Sequence, residues 1–578
     1  MPMTCGGAAV VRGLVQFFCE KQRISSQYKR VLRKSKSDSS GSMSDGLGAN
    51  LQSKDFNSFW RNWKQLNGKD TSHSSMIDGY VDHAEIADHF ANVFKGIYKG
   101  SEADDKLRRS FEGTFHSFQA KHHNDSLIPH LFTWTDMLDA IFSLKVGKAT
   151  STFVKAEHIF CGSPELLCYL HLLYNGLLTH SYMPHEFLCG TISPIIKDPN
   201  GDSTCSNNYR GITLGPILLQ VFEYLLLNKF GHHLDTNNLQ FGFKPSHSTS
   251  HSIFVLREVV NYYTTHGSNV LVGFLDCSKA FDTVSHYGIF SKMIEREVPL
   301  CFLQIIMYWY LNMKTRCTWQ QSYSVYFDIL TGTKQGGVLG PRIFSMYMDG
   351  LIKRLKEKGI GCFILELFLA CLLYADDICL IAPSRGAMQK LLEVCEQYCT
   401  EFCLSFNVKK SKILTFGNRK GINIDPLMLD NEPIDFVSQW TYLGTCITSG
   451  KDISFSTHSE LSSFYRSYNS LLSAVRKPNS LVLMSLLYSN CVPSLTYAAE
   501  VKDIPNREMQ SLNVALNNAI RRIFSYNRRE STRALRQQLG YPNVTEIFQN
   551  RRRHYIDNCQ HSENSVIRFL ISLPTLSL

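Results

Sequence analysis

The ten residues Leu372-Leu373-Tyr374-Ala375-Asp376-Asp377-Ile378-Cys379-Leu380-Ile381 constrain this chain more than any other stretch. Neighbouring side chains of a strand point to opposite faces, so a regular strand through both aspartates would bury one charge. Apolar runs on either side predict instead a strand, a tight turn at Ala375-Asp376-Asp377 and a second strand. Both carboxylates are then exposed at a hairpin tip. Taken alone, an ordinary Asp-Asp hairpin turn explains the motif as well.

The motif does not stand alone. Upstream, Val270 to Leu275 reads as a buried strand ending in Asp276, followed by Cys277-Ser278-Lys279-Ala280-Phe281-Asp282. A carboxylate at a strand end and two more at a hairpin tip can share two Mg²⁺ ions, with Mn²⁺ as a substitute. Such ions, about 3.5–4 Å apart, activate a primer 3′-hydroxyl and stabilise a leaving pyrophosphate. Asp276 and Asp376 are the expected ligands, Asp377 assists, and Asp282 is expected to cap the following turn.

The rest of the chain sets the frame. At roughly 100–200 residues per domain, 578 residues imply several units. A hydrophobic share of 44% with 12% aromatics excludes wholesale disorder. Sixty Lys+Arg against fifty Asp+Glu give +10, a weak leaning toward an anionic partner. Eighteen cysteines are too few for a disulfide scaffold, so a reducing, intracellular setting is expected. The apolar stretch 7–19 is broken by Arg12, and Cys362 to Leu373 carries Glu366 and falls short of the ~20 residues of a membrane helix. No membrane partner is expected.

Residues 21–36 hold seven Lys/Arg and no acid, and run into a Ser/Gly-rich stretch. Residues 1–49 are therefore expected to be a disordered basic arm and linker, with nucleic-acid contact or nuclear import as alternatives to a solvated tail. A helical extension is expected over 50–183, where Phe56, Phe59, Trp60 and Trp63 recur at helical spacing. Short β-rich runs alternate with helices over 184–450. From 451 to 578 the pattern is helical again, with Met509, Leu512, Leu516, Ile520 and Ile523 on one stripe. Cys395, Cys399 and Cys403 recur every four residues on an apolar helix face and read as buried thiols, and no zinc site is expected.

FLDCSKAFDTVSH (274–286), GTKQGGVLGP (332–341) and YADDICLIAPS (374–384) resemble, in order and spacing, the A, B and C motifs of reverse transcriptases. The surrounding texture resembles the jockey/chicken-repeat type of non-LTR (LINE-like) retrotransposons, over roughly residues 130–545. The resemblance implies a right-hand polymerase: an α/β (α+β) fold with an antiparallel palm sheet and α/β fingers over 184–450 and a helical thumb over 451–578. It implies RNA-directed DNA synthesis, with an RNA template, a DNA primer, dNTPs and two Mg²⁺ ions as partners, in the nucleus.

Individual roles follow from the same resemblance. Phe281 stands where reverse transcriptases place an aromatic gate against the ribonucleotide 2′-hydroxyl. Gln335 and Gly336 belong to the nucleotide-binding loop of motif B. Gly340 replaces the usual serine before the proline, and Lys334 a frequent arginine. Lys197 and Arg210, flanking a turn-rich Asp198-Pro199-Asn200-Gly201-Asp202, are expected on a hairpin facing the triphosphate. Gly242, Phe243 and Lys244 would hold the template, and Tyr442, Leu443 and Gly444 resemble the primer grip. Lys410, with Lys409 as the alternative, matches the lysine thought to protonate pyrophosphate.

Elements of this type usually encode an endonuclease ahead of the polymerase. The roughly 130 preceding residues carry none of its motifs, so a 5′-truncated reading frame or a fragment is expected, with that nuclease supplied in trans. The alternatives are a catalytically degenerate, nucleic-acid-binding remnant, an RNA-dependent RNA polymerase and an intron-maturase-like protein.

Overall fold

The computed structural model describes residues 46–67, 74–199, 201–418, 425–474 and 479–573. Two compact units emerge: Ser72–Ser454 with Ile556–Leu578, and Met1–Thr71 with Phe455–Tyr555. The first is mixed α/β. Its main sheet has six strands in the order Leu427–Leu429, Glu432–Phe436, Lys412–Phe416, Val270–Asp276, Asp377–Ala382, Cys371–Tyr374.

Val270–Asp276 lies inside this sheet, antiparallel to both neighbours. Its first six residues are buried, which is why it reads as an unbroken apolar run rather than an alternating one. Gly273 lets Ile413 of the neighbouring strand come close, since a Cβ there would stand 3.1 Å from its Cδ1. The next residue, Phe274, packs against Tyr442, with ring centroids 4.9 Å apart. The sheet is not wholly antiparallel as expected: Glu432–Phe436 runs parallel to Lys412–Phe416. The cause is a hairpin added with its second strand inward, Leu427–Leu429 forming the edge.

A second sheet pairs Cys189–Ile196 with Tyr209–Leu214 antiparallel and with Lys314–Trp319 parallel. The helix His83–Ile97, capped by the Asp82 side chain, packs Phe90 against Tyr209 and Trp319 of this sheet. Residues from 74 onward thus group with the α/β unit, and the helices expected over 50–183 include His83–Ile97, Glu102–His122 and Pro164–His180.

In the second unit, Leu47, Phe59 and Trp63 are buried with Phe464, Tyr468, Leu483, Leu512, Leu516 and Ile520. The stripe expected on Asn506–Ile523 is its inner face. Residues 46–52 are helical and Leu47 is fully buried, so the linker expected to reach 49 is replaced by structure here. The basic stretch 21–36 lies outside the described residues. Among the described residues, no helix is long and apolar enough to cross a membrane.

Candidate active site

The expected hairpin is present. Cys371–Tyr374 and Asp377–Ala382 pair antiparallel with Tyr374 opposite Asp377, leaving Ala375 and Asp376 as a two-residue loop. Ala375 has φ 59°, while Asp376 is absent from the positive-φ residues. Positive φ at the first loop position only is the pattern of a type II′ turn. Asp377 opens the second strand and lies directly opposite Asp276. Register therefore brings the three aspartates to one end of the sheet.

Asp276 is tied down from the far side. Its N–H donates to Ser411 Oγ at 3.2 Å, and its carbonyl accepts the Asn407 N–H at 2.8 Å. The same loop delivers Lys410, whose Nζ stands 3.8 Å from Asp276 Oδ2 with its side chain largely exposed. Burial pushes the Asp376 carboxyl up, Asp276 adds to the rise, and Arg210 opposes it. Asp377 is pushed up to about 6 by partial desolvation and by the charges of Asp376 and Asp276.

Positive groups stand across from these acids. Lys197 follows the strand Cys189–Ile196, and Arg210 pairs with Ile195 on the neighbouring strand, so the hairpin presents both. The Lys197 ammonium is lowered by partial burial and by Lys279, Arg210 and Lys410, with Asp282 opposing. It donates to the Asn207 carbonyl at 3.0 Å.

Asp282 does not cap the following turn. Its Oδ1 accepts the Gln335 amide at 2.6 Å and the Tyr98 hydroxyl at 3.4 Å. Burial, offset by those bonds, raises its carboxyl to about 6. The reason is topological: the Thr333 N–H donates to Phe281 O and the Gly332 N–H to Val284 O, strapping the Gln335 loop to this segment. Gly336, at φ 107°, abuts the Thr213 carbonyl, which a Cβ would approach to 2.8 Å. Gly340 likewise leaves no room for a side chain, since a Cβ would lie 2.8 Å from Lys334 O. Lys334 itself is buried, 3.9 Å from Glu223, whose carboxylate accepts the Val338 and Leu339 N–H groups.

Phe281 stacks on Phe344 at 4.0 Å and meets Phe243 edge-on at 5.9 Å. Phe243 is exposed, whereas Lys244 folds back to donate to the Thr236 and Asn237 carbonyls, and burial lowers it to about 8. Gly242 packs against the backbone of Tyr374 and Ala375. Tyr442 is turned inward and exchanges a 2.8 Å hydrogen bond with Ser252, so Leu443 and Gly444 form the accessible tip of their hairpin. A groove of about 890 Å³ is lined by Lys148, Phe243, Lys244, Gly336 and Arg342 among others. Sequence reasoning missed Gln240, Glu223, Phe344 and Ser411, which act through contacts far away along the chain.

Residues 196–447 match the family model for reverse transcriptase (RNA-dependent DNA polymerase). The chain is 26% identical over 287 residues to the Pol polyprotein of the retrotransposable element R2 of Nasonia vitripennis, covering 48% of this chain and 28% of that protein. It is also 26% identical over 426 residues to the RNA-directed DNA polymerase from mobile element jockey of Drosophila melanogaster, covering 70% and 45%. A probable RNA-directed DNA polymerase from transposon BS of the same fly is 24% identical, covering 75% and 49%. The chain spans less than half the length of each of these relatives. An apo telomerase structure from Candida tropicalis is similar, with a TM-score of 0.35 at 11% identity, covering 55% of this chain and 64% of that one.

The three aspartates thus lie within the segment that matches the reverse transcriptase family model. The chain is similar to proteins of the mobile elements jockey, BS and R2.

Proposed function

We propose that the chain is an RNA-directed DNA polymerase that extends a primer at the Asp276, Asp376 and Asp377 end of the main sheet. The observation that carries this reading is the register that sets Asp377 opposite Asp276, with Asp376 in the adjoining loop. On this reading the six-stranded sheet is a palm, the sheet carrying Lys197 and Arg210 belongs to the fingers, and the unit containing Phe455–Tyr555 is the thumb.

The donor set fits Mg²⁺. Three carboxylates supply hard oxygen ligands, and two of them are raised partly by neighbouring carboxylate charge, Asp376 by Asp276 and Asp377 by both, which a cation would relieve. Mg²⁺ typically keeps several waters and takes one or two carboxylates together with substrate phosphates. When bound, the metal supplies activation of the primer hydroxyl and charge neutralisation at the leaving oxygen.

The chain's own groups do the rest. Lys197 and Arg210 hold the triphosphate, arginine through its planar fork. Lys410 places its Nζ 3.8 Å from Asp276 Oδ2, in reach of a departing pyrophosphate. Phe281, held by Phe344, closes the space that a ribose 2′-hydroxyl would need. The groove edged by Lys148 and Arg342 offers positive charge and the exposed ring of Phe243 to a single-stranded template. Extension of a DNA primer on an RNA template is the test. dNTPs should be incorporated and rNTPs largely refused, and failure to extend with dNTPs and Mg²⁺ would overturn the reading.

A further inference from the structure

Gln240 is fully buried, and among the described residues its Nε2 has no hydrogen-bond partner. Its Oε1, by contrast, accepts two backbone N–H groups, from Gly242 at 2.9 Å and from Ala375 at 3.1 Å. Both partners are donors, so the oxygen is the atom that must face them. A buried amide donor left unsatisfied is destabilising, which makes this a demanding place for a glutamine.

What the side chain holds explains the choice. Ala375 opens the loop that carries Asp376, and its φ of 59° is left-handed, a conformation disfavoured for a residue with a Cβ. The loop has neither glycine nor asparagine at that position to favour the turn from within. Support comes from outside. The Phe241 N–H donates to Leu373 O at 2.8 Å, and the Leu373 N–H to Leu239 O at 2.9 Å, so the chain lies along the Cys371–Tyr374 strand. Gly242 then passes the turn so closely that a Cβ would collide with the Ala375 nitrogen. Whatever accepts the Ala375 N–H sits next to two aspartates that already repel one another. Glutamine offers a carbonyl of the required reach without a further negative charge, and glutamate does not.

The geometry points to Gln240 as a positioning residue that fixes the Ala375-Asp376 turn, and through it the direction in which Asp376 and Asp377 present their carboxylates. The inference rests on the polymerase reading above for its kinetic consequence, though not for the clamp itself.

Gln240→Met keeps the length of the side chain and removes the acceptor. Its kcat for primer extension should fall about ten- to a hundredfold, as expected when reacting groups are displaced by about an ångström, while KM for dNTP changes little. Deuterium uptake should rise in the peptide spanning 371–382 and stay as in the wild type elsewhere. Gln240→Glu tests the demand for neutrality: its activity relative to wild type should decline as pH rises and the added carboxyl ionises. An unchanged kcat with unchanged uptake in Gln240→Met would overturn the assignment, and so would uptake that rises uniformly through the unit. If the wild-type protein does not extend primers, the polymerase reading fails, while the local exchange still reports on the clamp.

Discussion

Asp282 shows how a single carboxylate in this site couples stability to pH. Burial raises it to about 6 against an ordinary 3.8, so the native state keeps its proton to higher pH than the unfolded chain does. The native state then binds more protons between about pH 4 and 6, and stability contributed by this group falls as pH rises through that window. Asp282→Asn retains an oxygen for the Gln335 amide and removes the titration. Melting temperatures taken from pH 4 to 8 should show a shallower decline for this variant than for the wild type. An unaltered slope would show that Asp282 is not the group responsible. The aspartates at 376 and 377 were legible from sequence because neighbouring acids inside apolar runs conflict with a regular strand, and Asp276 because it ends an apolar run. Asp282 was legible only as a polar residue near a turn, since its partner Gln335 is 53 residues away. Gln240 carried no signal either: a polar residue among apolar ones reads as loop until its acceptor is seen on the Ala375 N–H.

The loop that leads into the helix Gly340–Lys358 depends on one buried acid. Glu223, in the helix Ile217–Phe230, accepts N–H groups that open the following helix and faces the buried Lys334. A carboxylate at a helix N-terminus satisfies groups that have no partner within the helix. Glu223→Ala would leave Lys334 buried without its counter-charge, a loss of about 3–5 kcal/mol by analogy with other buried pairs. Glu223→Gln keeps an acceptor and should lose less. Urea unfolding of the two variants checks the order, and equal midpoints would contradict it. At this scale the strands and helices near the site were readable. Period-two and helical spacings are local signals, as with the hairpin around Asp376 and the helix Arg385–Glu401, started by the Ser384 cap. The parallel placement of Glu432–Phe436 was not readable, because strand direction depends on which edge a hairpin joins.

Over the whole molecule, the sequence pattern of helical, then α/β, then helical segments describes the order of elements and misses their grouping. Phe59 and Trp63 share a core with Leu516 and Ile520 across more than four hundred residues, and an amphipathic stripe does not say which stripe it will meet. The same limit applies to charge. The net +10 spreads over the chain, yet at the site Lys197, Arg210, Lys279 and Lys410 stand against four aspartates, an arrangement produced by folding rather than by composition. The proposed function is nucleic-acid synthesis, and its central claim is that the chemistry occurs at the three aspartates. Extension of a DNA primer on an RNA template by Asp376→Asn, beside wild type, with primer–template affinity followed by fluorescence anisotropy, tests it most directly. The account predicts that extension is lost, by a factor of about a thousand or more if metal-supported charge stabilisation of several kcal/mol is removed, while affinity stays near wild type. Extension at the wild-type rate by Asp376→Asn would contradict it.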